Sequence, residues 1–187
     1  LDVGPSVRCC LSASELKMLP VRCIVLAALP YLVATPTVGG EFVGRVVKIQ
    51  DGDTLTVLVS KKQITVRLID IDAPERKQPF GTSSRQSLAE MCAGKFAEVA
   101  ERGKDRYGRT LGRVSCASVD ANADEVRRGM AWVFERYAAK DSPLYAVQAE
   151  ARAARRGLWQ DAKPVPPWEW RATRLQRKHQ STPAKIL

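Results

Sequence analysis

Between Phe42 and Ile69 the chain repeats one pattern three times: a short run of alternating apolar and polar residues, then a tight turn. The runs are Val43 to Ile49, Thr54 to Val59 and Ile64 to Ile69, broken at Asp51-Gly52-Asp53 and Ser60-Lys61-Lys62. Alternation gives a strand one apolar and one polar face, and Asp-Gly is a dipeptide that hairpin turns favour. The pattern therefore predicts three consecutive antiparallel strands. In the third, Ile64, Val66 and Leu68 share one face while Thr65, Arg67 and Ile69 share the other, which turns Arg67 away from the apolar stripe.

Farther on, Leu88, Met91 and Cys92 fall at helical spacing within Thr82 to Ala93, and Gly94 supplies a stop. Lys95 to Ala100 and Thr110 to Ser115 predict two more strands around the turn Asp105 to Arg109. A second helix is expected after Asn122, read as its N-cap, ending at Gly129. A third is expected from about Ser142 to Arg156, ending at Gly157. Mostly antiparallel strands with helices around them fit a small closed barrel of the α+β class better than a parallel sheet. After Trp159, the prolines Pro164, Pro166 and Pro167 and the tryptophans Trp168 and Trp170 predict an extended strap. Residues 172–187 are expected to be a disordered basic tail.

The length of 187 residues and the 45% hydrophobic content suit one domain with terminal extensions. A net charge of +10 attracts acidic polymers, either nucleic acid or an anionic membrane surface. The sole histidine, His179, lies in the tail, which removes His-based zinc sites, general bases and catalytic triads. None of the five cysteines forms a Cys-x-x-Cys pair, and Cys9, Cys10 and Cys23 precede the strands. Cys92 and Cys116 remain, to be paired after export or kept as thiols in a reducing compartment.

Met18-Leu19-Pro20-Val21-Arg22 followed by the apolar run Cys23 to Ala34 has the shape of a secretory signal, with residues 1–17 read as upstream sequence. The run is shorter than the roughly 20 residues of a membrane span. The expected division is thus 1–40 as upstream residues and signal, 41–171 as the folded domain and 172–187 as the tail. Export to the periplasm or the exterior is the expectation, with an uncleaved membrane anchor as the alternative.

Three segments carry chemistry: Asp51-Gly52-Asp53-Thr54, Arg67 to Glu75, and Asp105-Arg106-Tyr107-Gly108-Arg109. Asp70, Asp72 and Glu75 crowd three acids around Pro74, a repulsion that a cation or arginines relieve. If the second and third strands are neighbours, Asp53 and Asp72 converge from their ends on one ion, with the Ala73 carbonyl and water completing an oxygen shell. Carboxylates without histidine or cysteine suit a hard ion such as Ca²⁺ or Mg²⁺, and the planar forks of Arg67 and Arg109 match phosphate oxygens. Glu75, its approach fixed by Pro74, is the candidate to hold or deprotonate an attacking water. Singly, each of these residues has an ordinary structural use; together they read as phosphodiester chemistry.

The ordered motifs Asp-Gly-Asp-Thr, Arg-Leu-x-x-Ile-Asp-Ala-Pro-Glu, Asp-Arg-Tyr-Gly-Arg, Gly-x-Ala-Trp and Ala-Arg-x-x-Arg-Arg-Gly-Leu-Trp resemble the staphylococcal-nuclease-like (thermonuclease) family over about residues 42–171. The resemblance implies a five-stranded oligonucleotide-binding (OB-fold) barrel with three helices. It implies Ca²⁺-dependent hydrolysis of DNA and RNA that leaves 3′-phosphate ends. Carried over, Asp53, Asp72 and the Ala73 carbonyl bind the metal, and Asp51 stands behind them. Glu75 orients or deprotonates water, and Arg67 and Arg109 bind the phosphate and stabilise the transition state. Tyr107 and Tyr137 line the nucleotide pocket. The best-known member has threonine at the position of Ala73 and a second pocket tyrosine at that of Glu135, and its lysine-rich loop is longer than Arg76 to Gly81. These departures touch substrate preference rather than chemistry. The competing class is a barrel that grips single-stranded nucleic acid without cutting it. A monomer without a stable protein partner is expected.

Overall fold

A computed structural model describes residues 40–180, with side chains as far as Arg177. The expected signal segment and residues 181–187 of the tail lie outside the described residues. Strands β1 (Glu41–Asp51), β2 (Thr54–Val59) and β3 (Lys62–Leu68) form the antiparallel meander that the alternation predicts. β5 (Phe96–Lys104) pairs with β1, and β6 (Thr110–Cys116) pairs with β5, both antiparallel. A parallel pairing of β3 with β6, Val66 opposite Thr110, closes these five strands into a barrel. Its interior is filled from all five by residues such as Val46, Leu55, Val66, Leu68, Val99 and Val114. Closure leaves the barrel seam without an open edge.

Short pieces complete the chain: β4 (Ile71–Asp72) pairs with β8 (Trp132–Val133), and β7 (Val119–Asp120) pairs antiparallel with the end of β6. Helix α1 (Gly81–Cys92) buries Leu88, Met91 and Cys92 against the barrel, as their spacing predicts. Cys92, at its end, is joined by a disulfide to Cys116 at the end of β6. Helix α2 (Ala121–Arg127) begins two residues earlier than expected. Its N-cap is Asp120, whose side chain accepts a hydrogen bond from the Ala123 N–H at 3.0 Å. Asn122 is instead buried: its amide bridges the Val114 N–H and the Ile69 carbonyl, tying α2 to the barrel.

Helix α3 (Leu144–Ala153) is shorter than expected at both ends, and a 3₁₀ turn follows at Gly157–Gln160. The larger difference is at the C-terminus. Helix α4 (Pro167–Gln180) occupies the end of the predicted strap and much of the predicted disordered tail, so four helices are described where three were expected. A proline is tolerated in a first helical turn, where its missing N–H has no partner to lose, and Glu169 in that turn complements the helix dipole. Trp168 fastens this turn: its ring stacks on Phe134 at 5.2 Å and meets Trp132 edge-on at 5.8 Å. Trp132 in turn packs on Trp159 at 4.4 Å, forming a second, aromatic cluster beside the barrel.

Candidate active site

The site grows from the ends of β2 and β3. Their antiparallel register sets Thr54 opposite Arg67, and the Leu68 N–H donates to the Asp53 carbonyl at 2.8 Å. This brings the Asp51 to Asp53 turn beside Arg67. Gly52 is obligatory in the turn, because a Cβ there would strike Ser84 of α1 and the Ala73 side chain. Asp51 closes the turn by accepting the Asp53 N–H at 3.2 Å. Asp70 adopts a left-handed conformation (φ 64°) and reverses the chain after β3, sending Ile71 and Asp72 back as β4.

Arg67, only 13% exposed, spans the two aspartates that the sequence predicts to converge. It pairs with Asp53 through Nη1 and with Asp72 Oδ1 through Nη2 at 2.8 Å. The other Asp53 contacts orient its carboxylate: the Ala73 N–H donates to Oδ2 at 2.7 Å and the Thr54 hydroxyl to Oδ1 at 3.0 Å. Glu75 follows three residues after Asp72, its N–H bound to the side-chain oxygen of the buried Gln78 at 3.1 Å. The Glu75 carbonyl lies so close to Gly81 that any Cβ there would collide, so this loop fits only against a glycine at the start of α1.

A further member was missed by sequence reasoning. Arg171 of α4 donates from Nη2 to Asp72 Oδ2 at 2.6 Å, and from Nη1 to Glu75 Oε1 at 2.8 Å and Asp72 Oδ1 at 3.3 Å. Its signal in the sequence is the pair of tryptophans around it, Trp168 and Trp170, which marks packed rather than solvated chain.

Burial dominates the electrostatics. It raises the Asp51 carboxyl to about 7, helped by neighbouring Asp53. It also raises Asp72, with Asp53 adding to the rise, against the opposing effects of Arg171 and Arg67. Burial works to lower the Arg67 pKa, but Asp53 and Asp72 outweigh it and hold the guanidinium charged. Three carboxylates (Asp53, Asp72 and Glu75) thus gather around two guanidiniums (Arg67 and Arg171), a formal excess of one negative charge, to which Asp51 adds only as it ionises. That deficit and the all-oxygen donor set fit one divalent cation held by Asp53, Asp72 and main-chain oxygen at Ala73. Among the described residues no three acidic, histidine or cysteine side chains form a ready cage, so water has to supply much of the shell.

The remaining predicted residues stand apart. Arg109 pairs with Asp105 at 2.7 Å within its own turn, which Asp105 closes by also accepting the Tyr107 and Arg109 N–H groups. Burial pushes the Asp105 carboxyl up, but these bonds, Arg109 foremost, hold it below the usual range. Arg109 immediately precedes β6, the strand that closes against β3, so it lies at the same seam as Arg67. Tyr107 is 68% exposed, with Arg106 and Arg109 near its ring, and Tyr137 is 66% exposed beside Phe134. No hydrogen bond or ion pair among the described residues links Arg109, Tyr107 or Tyr137 to the acid cluster.

Known proteins place the chain in a family. The model of the family described as staphylococcal nuclease homologue matches residues 65–161. An uncharacterized endonuclease of Escherichia coli is 44% identical over 142 residues, covering 75% of this chain and 92% of its own. Protein ParB of Escherichia coli is 44% identical over 162 residues, covering 81% and 92%. A micrococcal nuclease of Shigella flexneri is 43% identical over 157 residues, covering 79% and 90%. This chain belongs to the staphylococcal nuclease-like family.

Proposed function

We propose that the protein is a Ca²⁺-dependent nuclease that hydrolyses phosphodiester bonds of DNA and RNA at the acid and arginine cluster. The observation that carries this reading is the single guanidinium of Arg67 spanning Asp53 and Asp72, with Glu75 held alongside. The names of two relatives, endonuclease and micrococcal nuclease, support nucleic acid as the substrate class.

When bound by Asp53, Asp72 and the Ala73 carbonyl, a divalent cation supplies positive charge against the phosphate oxygens. The work of the chain is positioning. Glu75 holds a water in line with the phosphorus and accepts its proton as the oxygen attacks. The bond from phosphorus to the 5′ oxygen breaks, and that oxygen takes a proton from solvent water, giving a 3′-phosphate and a 5′-hydroxyl. Arg67 and Arg109 hold the charge that builds on the phosphoryl oxygens, for which planar guanidinium forks are suited. Tyr107 and Tyr137 present exposed rings on which bases can stack.

The disulfide between two buried cysteines favours an oxidising compartment, which agrees with export through the N-terminal segment. Among the described residues no helix is long and apolar enough to cross a membrane.

The test is cleavage of single-stranded DNA by the purified protein, with Ca²⁺, with Mg²⁺ and with a chelator. Cutting is expected with Ca²⁺ and is lost on chelation, and the products should resist polymerase extension until a phosphatase removes the 3′-phosphate. Glu75→Gln and Arg67→Ala should each lose about 100-fold or more in turnover. Tight binding without cutting under every cation would make the protein a binding barrel instead.

A further inference from the structure

We propose that Arg171 is a positioning residue of this centre: it sets the angle of the Glu75 carboxylate against Asp72, so the hydrolytic unit includes α4. The inference rests on the nuclease reading above. Its first support is geometry. One guanidinium reaches both side chains, with Nη1 on Glu75 at 2.8 Å and Nη2 on Asp72 at 2.6 Å. A planar fork that bridges two carboxylates fixes their separation and mutual tilt, which a flexible lysine does not. Asp72 is 1% exposed, so the Asp72 end of the pair is buried, while Arg171 itself is 41% exposed.

The second support is how firmly Arg171 is mounted. Three residues before it, Trp168 is stacked on Phe134 and set against Trp132. The residue before it, Trp170, lines a small apolar cavity with Pro74, Gln78 and Phe80. The same segment grips Glu75 a second way, since Gln78 binds the Glu75 N–H through its oxygen and donates from its amide to the Val165 carbonyl at 2.6 Å. Glu75 is therefore held at its N–H by Gln78, itself bound to Val165, and at its side chain by Arg171. A guanidinium anchored on both sides is built to stay, whereas a plug that competes with the cation would need freedom to leave.

The test uses the full chain with R171M, which keeps the aliphatic stem, R171A and R171K, each first compared with wild type by thermal melting. With saturating Ca²⁺, R171M and R171A should lose about 10- to 100-fold in kcat, the usual cost of removing a partner that orients a catalytic group. KM for single-stranded DNA should change little, and R171K should recover only part of the loss. Calcium affinity, read separately by calorimetry, should not weaken in R171M, because a positive neighbour of Asp72 has gone. Unchanged or higher kcat with tighter Ca²⁺ binding would make Arg171 a competitor of the cation, and a change confined to KM would make it a substrate contact. Either result overturns the positioning role while leaving the nuclease reading intact, whereas a wild-type chain that does not cut overturns both.

Discussion

Glu125 is the least comfortable residue described. It lies on the buried side of α2 with no exposed surface, and neither carboxylate oxygen has a hydrogen-bond partner among the described residues. The hydroxyl of Ser87, on the facing helix α1, is likewise unpartnered. Burial raises its pKa to about 8, against opposing influences from Ser87 and Arg128. The folded protein therefore keeps a proton that the unfolded chain gives up near 4.5. Stability from this group is fully present below pH 4.5, declines as pH rises between the two values and is gone above about 8. Replacing Glu125 with Gln or Leu should flatten that decline and raise stability at pH 8 to 9 by on the order of a few kcal/mol. Chemical denaturation of both forms at pH 5 and pH 9 reads it out, and parallel losses in wild type and variant would refute it. No sequence signal marks this residue, since a lone glutamate in a short helix ordinarily faces water. Asp53 and Asp72 were legible for the opposite reason: their spacing around tight turns leaves few other uses for so much charge.

At the scale of elements, alternation located the barrel closely. β2 occupies the predicted Thr54 to Val59, and α1 is displaced by one residue from the predicted helix. Strands announce themselves through a period of two that the pleat enforces. Helix ends and proline-rich chain carry no such period. Asp120 and Asn122 are equally good caps by composition, and only the demand for a bridge from Val114 to Ile69 drew Asn122 inside. The prolines before Trp168 read as a strap, yet the last of them begins α4, and Arg171 was lost to sight with it. The disulfide belongs to this scale because it clamps the end of α1 to the end of β6 across 24 residues of chain. Its loss should cost about 3 kcal/mol, most of it through a freer unfolded chain. Melting with and without reductant, and of a C92S/C116S variant, should show a drop in Tm of several degrees, whereas no change would mean that packing alone holds the contact.

Across the whole molecule, the net charge of +10 sits over a site that itself carries an excess of negative charge. Long-range attraction of a nucleic acid must therefore come from basic groups elsewhere. Exposed Arg174 and Arg177 continue α4 beyond Arg171 and are the candidates for such contacts. In the Glu75→Gln background, where cutting is expected to be about 100-fold slower or more, R174A/R177A should weaken binding of single-stranded DNA uniformly across sequences. The slope of log affinity against log salt should flatten by about 0.7 for each contact removed. An unchanged slope would leave these arginines as solvated surface.

The parallel seam between β3 and β6 gives this protein a further property. Arg67 sits on one strand of that seam and Arg109 directly before the other, and the strands meet only when chain far apart in sequence is brought together. Contacts of that kind form late in folding, because the closure entropy of the intervening chain has to be met first. The two arginines proposed to bind phosphate are therefore brought to one seam by the pairing that completes the barrel. A chain in which that seam is open carries both arginines without the arrangement on which the proposed chemistry depends.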